Sequence, residues 1–248
     1  ISRYHYPRKV IDEIGRSSRD EYIGTAEAIN AMNDVRLVNI QHEFGIFAGA
    51  LGSHIILFLE ALKKPSIVTL HSILPSPDEE MYRVVRAMAE HASGLVAMTR
   101  HSKELLSSAY GISEEKVSVI PHGIHAMPYT SSVKPKSFLG LKKKLNLLTF
   151  GFLSRGKGLE YVIEALPEVV KAYPDLLYVI LGVTHPNVLS EEGESYRNFL
   201  LQKVHALNLT AHVNFYNEYV TLDELLQFLR AADIYIATSL NPNQAVSG

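Results

Sequence analysis

The chain has 248 residues, 47% hydrophobic and 20% charged, with a formal charge of −2. This is globular composition, long enough for two domains of roughly 100 residues or more, and it leaves no electrostatic footprint for nucleic acid. The absence of cysteine excludes a disulfide framework and thiolate metal sites, and the longest apolar stretches, such as Ile55 to Leu59, fall far short of a ~20-residue membrane span.

Residues Ile1 to Pro7 read as the tail of a strand and Asp20 to Met32 as a helix. Val35 to Ile40 follows as a strand ending in the polar cluster Gln41-His42-Glu43. Gly49 to Leu62 is helical in pattern, and Ser66 to Leu70 is a strand that delivers His71 at its C-terminal end. The next helix has Ser76 as its expected N-cap, Pro77 at the first position and acids at Asp78, Glu79 and Glu80; Ser76 with Glu79 fits a capping box. Met81, Val84, Val85 and Met88 recur at helical spacing and are expected in the core. Gly94 to Met98 reads as a strand, Ser102 to Tyr110 as a helix stopped by Gly111, and Val117 to Ile120 as a strand closed by the turn Pro121-His122-Gly123.

From Ala126 to Lys144 neither the helical nor the strand period survives, and prolines, serines and lysines predict a linker with a solvated lysine face. The alternation then restarts with strand Leu145 to Phe150 and a helix carrying Leu159, Val162, Ile163, Leu166, Val169 and Val170 on one face, in which Pro167 should introduce a kink. Leu176 to Leu181 is a strand, Glu191 to Leu207 a helix and Val213 to Tyr216 a strand. Thr221 with Glu224 caps a helix through Ala231, and Ile234 to Ala237 is the last strand. Repeated βα units predict α/β architecture: two parallel, Rossmann-like sheets facing across a cleft, with ligands outside the C-terminal strand ends.

The stretch Phe150-Gly151-Phe152-Leu153-Ser154-Arg155-Gly156-Lys157-Gly158 joins a strand to a helix through glycines. Backbone N–H groups at the positive end of a helix, glycines that permit close approach, and the Lys157 charge together suit a phosphate. An ordinary strand-to-helix turn with a solvated lysine has the same local pattern. His42, Glu43 and His71 also sit at expected C-terminal strand ends, so each is a cleft candidate by topology, although each singly fits a structural role.

Sharper motifs fail. Gly151, Gly156 and Lys157 match the opening of a P-loop, but Gly158 stands where a Mg²⁺-binding hydroxyl is needed. His42-Glu43 begins like a zincin, yet Ile46 and Phe47 stand where the second histidine belongs. There is no Asp-x-Asp to hold a metal against a diphosphate and no Gly-x-Ser-x-Gly elbow. No metal site is expected.

Leu147 to Gly151, Lys157-Gly158, Tyr178 to Gly182 and Leu225 to Ser239 resemble the retaining glycosyltransferases of family four (glycosyl transferases group 1), which have the GT-B fold. Thr69-Leu70-His71, Gly94 to Ser102 and Val119 to Ile124 are similar to that family's N-terminal domain. The resemblance implies an acceptor-side domain at 1–125, a linker at 126–144 and a donor domain at 145–248. It also implies that the chain is truncated at both ends, the second domain incomplete and turnover weak or absent. The implied reaction moves a hexosyl unit, with retention and without a metal or cofactor, from a UDP-, GDP- or ADP-sugar to a hydroxyl of a sugar, lipid-linked or small-molecule acceptor. A cytoplasmic location is expected, peripheral at the membrane where the acceptor is lipid-linked.

By that resemblance His71 lies near the donor sugar and reaction centre. Gly151, Gly156, Lys157 and Gly158 form the diphosphate loop, and Gln244 stands in the place of the first of two family acids. The family's loop arginine has Phe152 in its position here, and Arg155 is the nearby cation that could reach the same phosphate. Two other readings share the architecture. A sugar-nucleotide epimerase would need carboxylates such as Glu43 or Glu218. A non-catalytic sugar-nucleotide-binding protein would accord with Phe152 and Gln244, which replace a cation and an acid.

Overall fold

The computed structural model describes residues 8–15, 18–128, 130–141 and 145–240. The chain divides into two compact units, the first running to Ile124 and the second from His125 to Pro242.

In the first unit the order is α1 (Arg19–Ala31), β1 (Val38–His42), α2 (His54–Ala61), β2 (Ser66–Leu70), α3 (Glu79–His91), β3 (Gly94–Ala97), α4 (Arg100–Ser108) and β4 (Val117–Val119). The strands pair in parallel in the order β1-β2-β3-β4, with Val38 opposite Ser66 and Ile67 opposite Gly94. A helix follows each of the first three, as parallel pairing requires. Val68, Ala97, Met88 and Leu106 lie at the centre of the core, each 0% exposed. Met81, Val84 and Val85 are buried beside them, as their helical spacing predicts.

The second unit contains α5 (Val133–Phe138), β5 (Leu145–Phe150), α6 (Leu159–Ala172), β6 (Leu176–Leu181), α7 (Pro186–Glu192), α8 (Ser195–Ala206), β7 (Val213–Tyr216), α9 (Leu222–Ala231) and β8 (Ile234–Tyr235). Its parallel sheet has the order β7-β6-β5-β8, so the strand order reverses between β5 and β8. That reversal is where open α/β sheets leave a crevice at the C-terminal strand ends. All six residues of β6 are buried. Tyr178 and Ile180 pack into one core with Ile163 and Leu200, while Leu177, Val179 and Leu181 pack into another with Phe228 and Ala231. A continuous apolar strand is stable because helices cover both of its faces.

Several boundaries differ from expectation for physical reasons. Helix α3 is capped by Asp78, whose carboxylate accepts the Met81 N–H at 2.8 Å; Ser76 and Pro77 lie outside it. β1 extends through His42, which makes Gln41 and His42 strand residues. The expected helix from Glu191 to Leu207 is two helices, broken at Gly193 with φ +62°. Helix α6 runs unbroken through Pro167. Part of the expected linker is helical: α5 packs against α9, Pro135 and Leu141 are buried, and Lys136 pairs with Asp233 at 2.5 Å rather than facing solvent. The same Asp233 carboxylate accepts the Asn146 N–H, which fastens the start of β5 to the turn before β8. Thr221 and Glu224 form the expected capping box. The expectations for Ile1 to Pro7 and for Lys142 to Lys144 lie outside the described residues.

The two candidate caps of α3 give opposite expectations. Asp78→Ala should cost about 1 kcal/mol in urea unfolding, while Ser76→Ala should stay within about 0.5 kcal/mol of wild type. The reverse ranking would return the cap to Ser76.

Candidate functional site

At the end of β5 the chain must pass the end of β6 at very short range. Gly151 has φ +123° and Gly182 φ +141°, and a Cβ on Gly182 would fall 2.2 Å from the Gly151 carbonyl oxygen. Only glycine fits there. Past this crossing the two segments stay paired, with Leu153 N–H donating to Val183 O and His185 N–H to Leu153 O. Buried Arg197 donates to Gly182 O at 3.0 Å and to Glu194 at 3.1 Å. The Thr184 hydroxyl and Arg197 hold the Glu194 carboxyl below the usual carboxylate range.

From that anchor the glycine loop turns through residues 155–157 into α6, whose N-cap Gly158 is left-handed at φ +60°. The segment after β8 lies on the loop: Leu240 N–H donates to Gly156 O at 2.9 Å, and the Thr238 hydroxyl donates to Lys157 O. The helix start is held from the other side by Tyr196. Its hydroxyl accepts the Leu159 N–H at 3.2 Å and donates to Glu160 at 2.5 Å. Burial, then the Glu160 carboxylate, pushes that phenol's pKa up.

The two loop cations are used differently. Arg155 turns toward α8, its Nε 3.6 Å from Glu192 and its guanidinium 5.5 Å from the Tyr196 ring and 5.9 Å from the Phe199 ring. Lys157 folds back over Gly151, its Nζ 3.6 Å from where a Cβ at that residue would stand. Among the described residues Lys157 has no carboxylate within ion-pair distance. Next to it Phe152 is 40% exposed, its ring against His185 at 5.5 Å and Tyr219 at 6.3 Å. Three consecutive strands, β5, β6 and β7, thus each deliver one aromatic ring to the same edge. The local pattern signalled the lysine and the glycines at 151, 156 and 158. Gly182, which its own loop does not reveal, emerges only when β5 and β6 are placed side by side. Gln244 lies outside the described residues.

In the first unit the strand ends behave differently. His42 is 0% exposed, its ring stacked 5.8 Å from Phe47 and edge-on to Phe44 at 5.3 Å, and among the described residues neither ring nitrogen has a hydrogen-bond partner. Burial, helped by nearby His71, lowers its pKa from 6.5 to about 4. Glu43 accepts from the Ser72 hydroxyl at 2.8 Å. His71, half-buried, continues the sheet past β2 through its N–H to His42 O. Its ring Nε2 lies 2.8 Å from Gln41 Oε1, and His122 from the end of β4 packs edge-on at 5.9 Å. The candidate group at this edge is therefore His71 with Gln41 and His122, while His42 faces inward. Among the described residues no group of three or more His, Asp or Glu side chains is placed to hold a metal ion.

Residues 7–126 match the family model described as Glycosyltransferase Family 4, and residues 134–245 match Glycosyl transferases group 1. The chain is 22% identical over 209 residues to the uncharacterized glycosyltransferase MJ1607 of Methanocaldococcus jannaschii, which covers 78% of this chain and 49% of that protein. It is 26% identical over 152 residues to a phosphatidylinositol N-acetylglucosaminyltransferase component of Arabidopsis thaliana, covering 59% of this chain and 32% of that protein. The chain thus spans about half or less of the length of these relatives. Among solved structures it is similar to Anabaena Alr3699/HepE in complex with UDP, with a TM-score of 0.69 at 20% identity over 90% of this chain and 58% of that one. A glycosyltransferase from Rickettsia africae ESF-5 gives 0.67 at 17% identity over 94% and 60%. At these identities the likeness shows the fold, which is GT-B.

Two outcomes follow from the geometry. Gly182→Ala should cost roughly 3 kcal/mol, since it adds backbone strain and an overlap with Gly151 O. Gly156→Ala, whose Cβ would meet nothing closer than 4.0 Å, should change stability little. For His42 the fold holds the neutral ring, while the unfolded chain takes up a proton below about pH 6.5. Its contribution is therefore complete above that pH and is lost as pH falls toward about 4. The difference is worth about 3 kcal/mol. Urea midpoints of wild type and His42→Phe should separate in that sense between neutral and acid pH; parallel curves would overturn the assignment.

Proposed function

The chain belongs to the glycosyltransferases, its first unit to family 4 and its second to group 1, and from that premise we propose that the glycine loop after β5 is the donor site of a sugar transfer. The observation that carries this reading is the Lys157 ammonium, folded over Gly151 at the point of strand reversal and without a carboxylate partner among the described residues. When the bond from the anomeric carbon to the diphosphate breaks, the electron pair leaves with the phosphate oxygen. Preorganised positive charge at that oxygen lowers the barrier. Lys157 and loop N–H groups supply it; the acceptor's hydroxyl oxygen forms the new bond to the anomeric carbon with retention, and its proton passes to the departing phosphate oxygen.

The charge is carried without a metal, in keeping with the lack of an Asp-x-Asp pair in the sequence. A similar structure holds UDP and another holds UDP-glucose, which supports a uridine diphosphate hexose as the donor here. Gly151, Gly156 and Gly158 shape the loop, and Arg155 acts by bracing it against Tyr196 and Glu192 rather than by meeting the phosphate. His71 contacts the sugar. Glu43 and His122 stand at the same strand ends as His71 and are its acceptor-side companions. No helix among the described residues is long and apolar enough to cross a membrane. The proposed enzyme works in the cytoplasm, on a soluble acceptor or on a lipid-linked one at the membrane face. A second reading, sugar-nucleotide binding without turnover, is favoured by two observations: Arg155 is engaged elsewhere and Phe152 adds no charge.

Thermal unfolding with UDP, GDP, ADP and their hexose conjugates tests the site. A ligand at 100 times its Kd stabilises the folded chain by about 2.7 kcal/mol. Stabilisation by a uridine nucleotide should vanish in Lys157→Ala. Equal stabilisation of wild type and variant, or none with any nucleotide, would overturn the assignment.

A further inference from the structure

On β1 the side chains alternate: Ile40 and His42 are buried, while Asn39 and Gln41 share the other face. β2 lies beside it with Thr69 opposite Gln41, so Thr69 and the following His71 share that polar face. A directed file of hydrogen bonds runs along it. The Thr69 hydroxyl donates to Asn39 Oδ1 at 3.3 Å, and Gln41 Nε2 donates to the same oxygen at 3.2 Å. This turns the Gln41 carbonyl oxygen toward His71 Nε2 at 2.8 Å. A carbonyl only accepts, so the proton of the neutral ring must sit on Nε2.

The direction is set at the buried end. Thr69 is 8% exposed, and Asn39 Oδ1 is the partner its hydroxyl has among the described residues. Reversing both amides would leave that O–H undonated inside the sheet, which costs more than losing one exposed hydrogen bond.

We infer that Gln41 is a positioning residue that holds His71 as the Nε2-protonated tautomer, leaving Nδ1 as a hydrogen-bond acceptor for a hydroxyl of the bound sugar. The assignment rests on His71 being the sugar-contacting residue, and it goes beyond that by fixing which partner it takes. A ring nitrogen carrying a lone pair pairs with a hydroxyl donor and repels a phosphate or carbonyl oxygen. Asn39 and Thr69 act only through Gln41.

The tautomer is visible without turnover. Long-range ¹H–¹⁵N correlation of the full chain, at a pH where imidazoles are neutral, reads both ring nitrogens, and His71 among the 11 histidines is identified by its loss in His71→Gln. Wild type should show two widely separated ¹⁵N resonances with the protonated one at Nε2. In Gln41→Leu the separation should collapse toward that of interconverting tautomers, and Gln41→Glu, which keeps an acceptor oxygen, should restore it. Thr69→Val, close in shape to wild type, should weaken the preference without touching His71. An Nδ1-protonated ring in wild type, or an unchanged spectrum in a folded Gln41→Leu, would overturn the inference. Nucleotide binding at Lys157 is read separately, so its failure would strike the donor-site reading while leaving the tautomer result standing.

Discussion

The second unit depends on one close crossing of backbones, Gly182 against the carbonyl of Gly151. Two parallel strands normally stay about 4.8 Å apart, and here the chains leaving β5 and β6 approach more closely than any side chain allows. Both residues have φ well above zero, so both conformations need glycine. Because the crossing is fixed, Leu153 and Thr184 continue the pairing, and the loop from Ser154 to Gly158 is aimed before α6 begins. Arg197 locks it from below, Tyr196 holds the first N–H of the helix, and Thr238 and Leu240 hold the loop from the side of β8. Lys157 is left as a charge with no carboxylate partner among the described residues, on an otherwise constrained turn.

The first unit is organised by the parity of its strands. On β1 one parity is buried and ends in His42, a ring beside Phe44 and Phe47 whose two nitrogens are unpaired among the described residues. An imidazole in that setting is held neutral, since charging it would add the cost of an unsolvated cation to that of unpaired polar atoms. The other parity carries Asn39 and Gln41, which spend their hydrogen bonds on one another and on His71. Two adjacent residues, Gln41 and His42, therefore have opposite electrostatic roles for no reason but the pleat.

Identity near 20% with solved structures of the same fold is what this pattern would leave. The arrangement needs apolar residues at both parities of β5 and β6, one parity of β1, and glycine where backbones cross; most other positions are free. Function is not inherited with the fold. The proposed function rests on Lys157, on the engaged Arg155, and on Phe152, whose aromatic ring beside His185 and Tyr219 gives this loop a chemistry different from a pair of cations.

Local pattern determined the alternation of strands and helices, the bounds of β2, β5, β6 and β7, the methionine stripe of α3, the capping box at Thr221 and the position of the glycine loop. Each is written within a few neighbouring residues, where spacing and conformational preference act directly. It did not determine that Asp78 rather than Ser76 caps α3, because both are competent caps and the geometry of entry chooses between them. The helix inside the expected linker was illegible for another reason: Lys136 is ordered by Asp233, 97 residues away. His42 looked like an exposed polar end until β1 proved to run from Val38 to His42, ending two residues later than expected, and the pleat turned it inward. The tertiary structure alone paired His71 with Gln41, 30 residues apart, and sent Arg155 to Tyr196 and Glu192. Sequence periodicity says which face a side chain is on, but which partner waits there depends on strands and helices that only folding brings together.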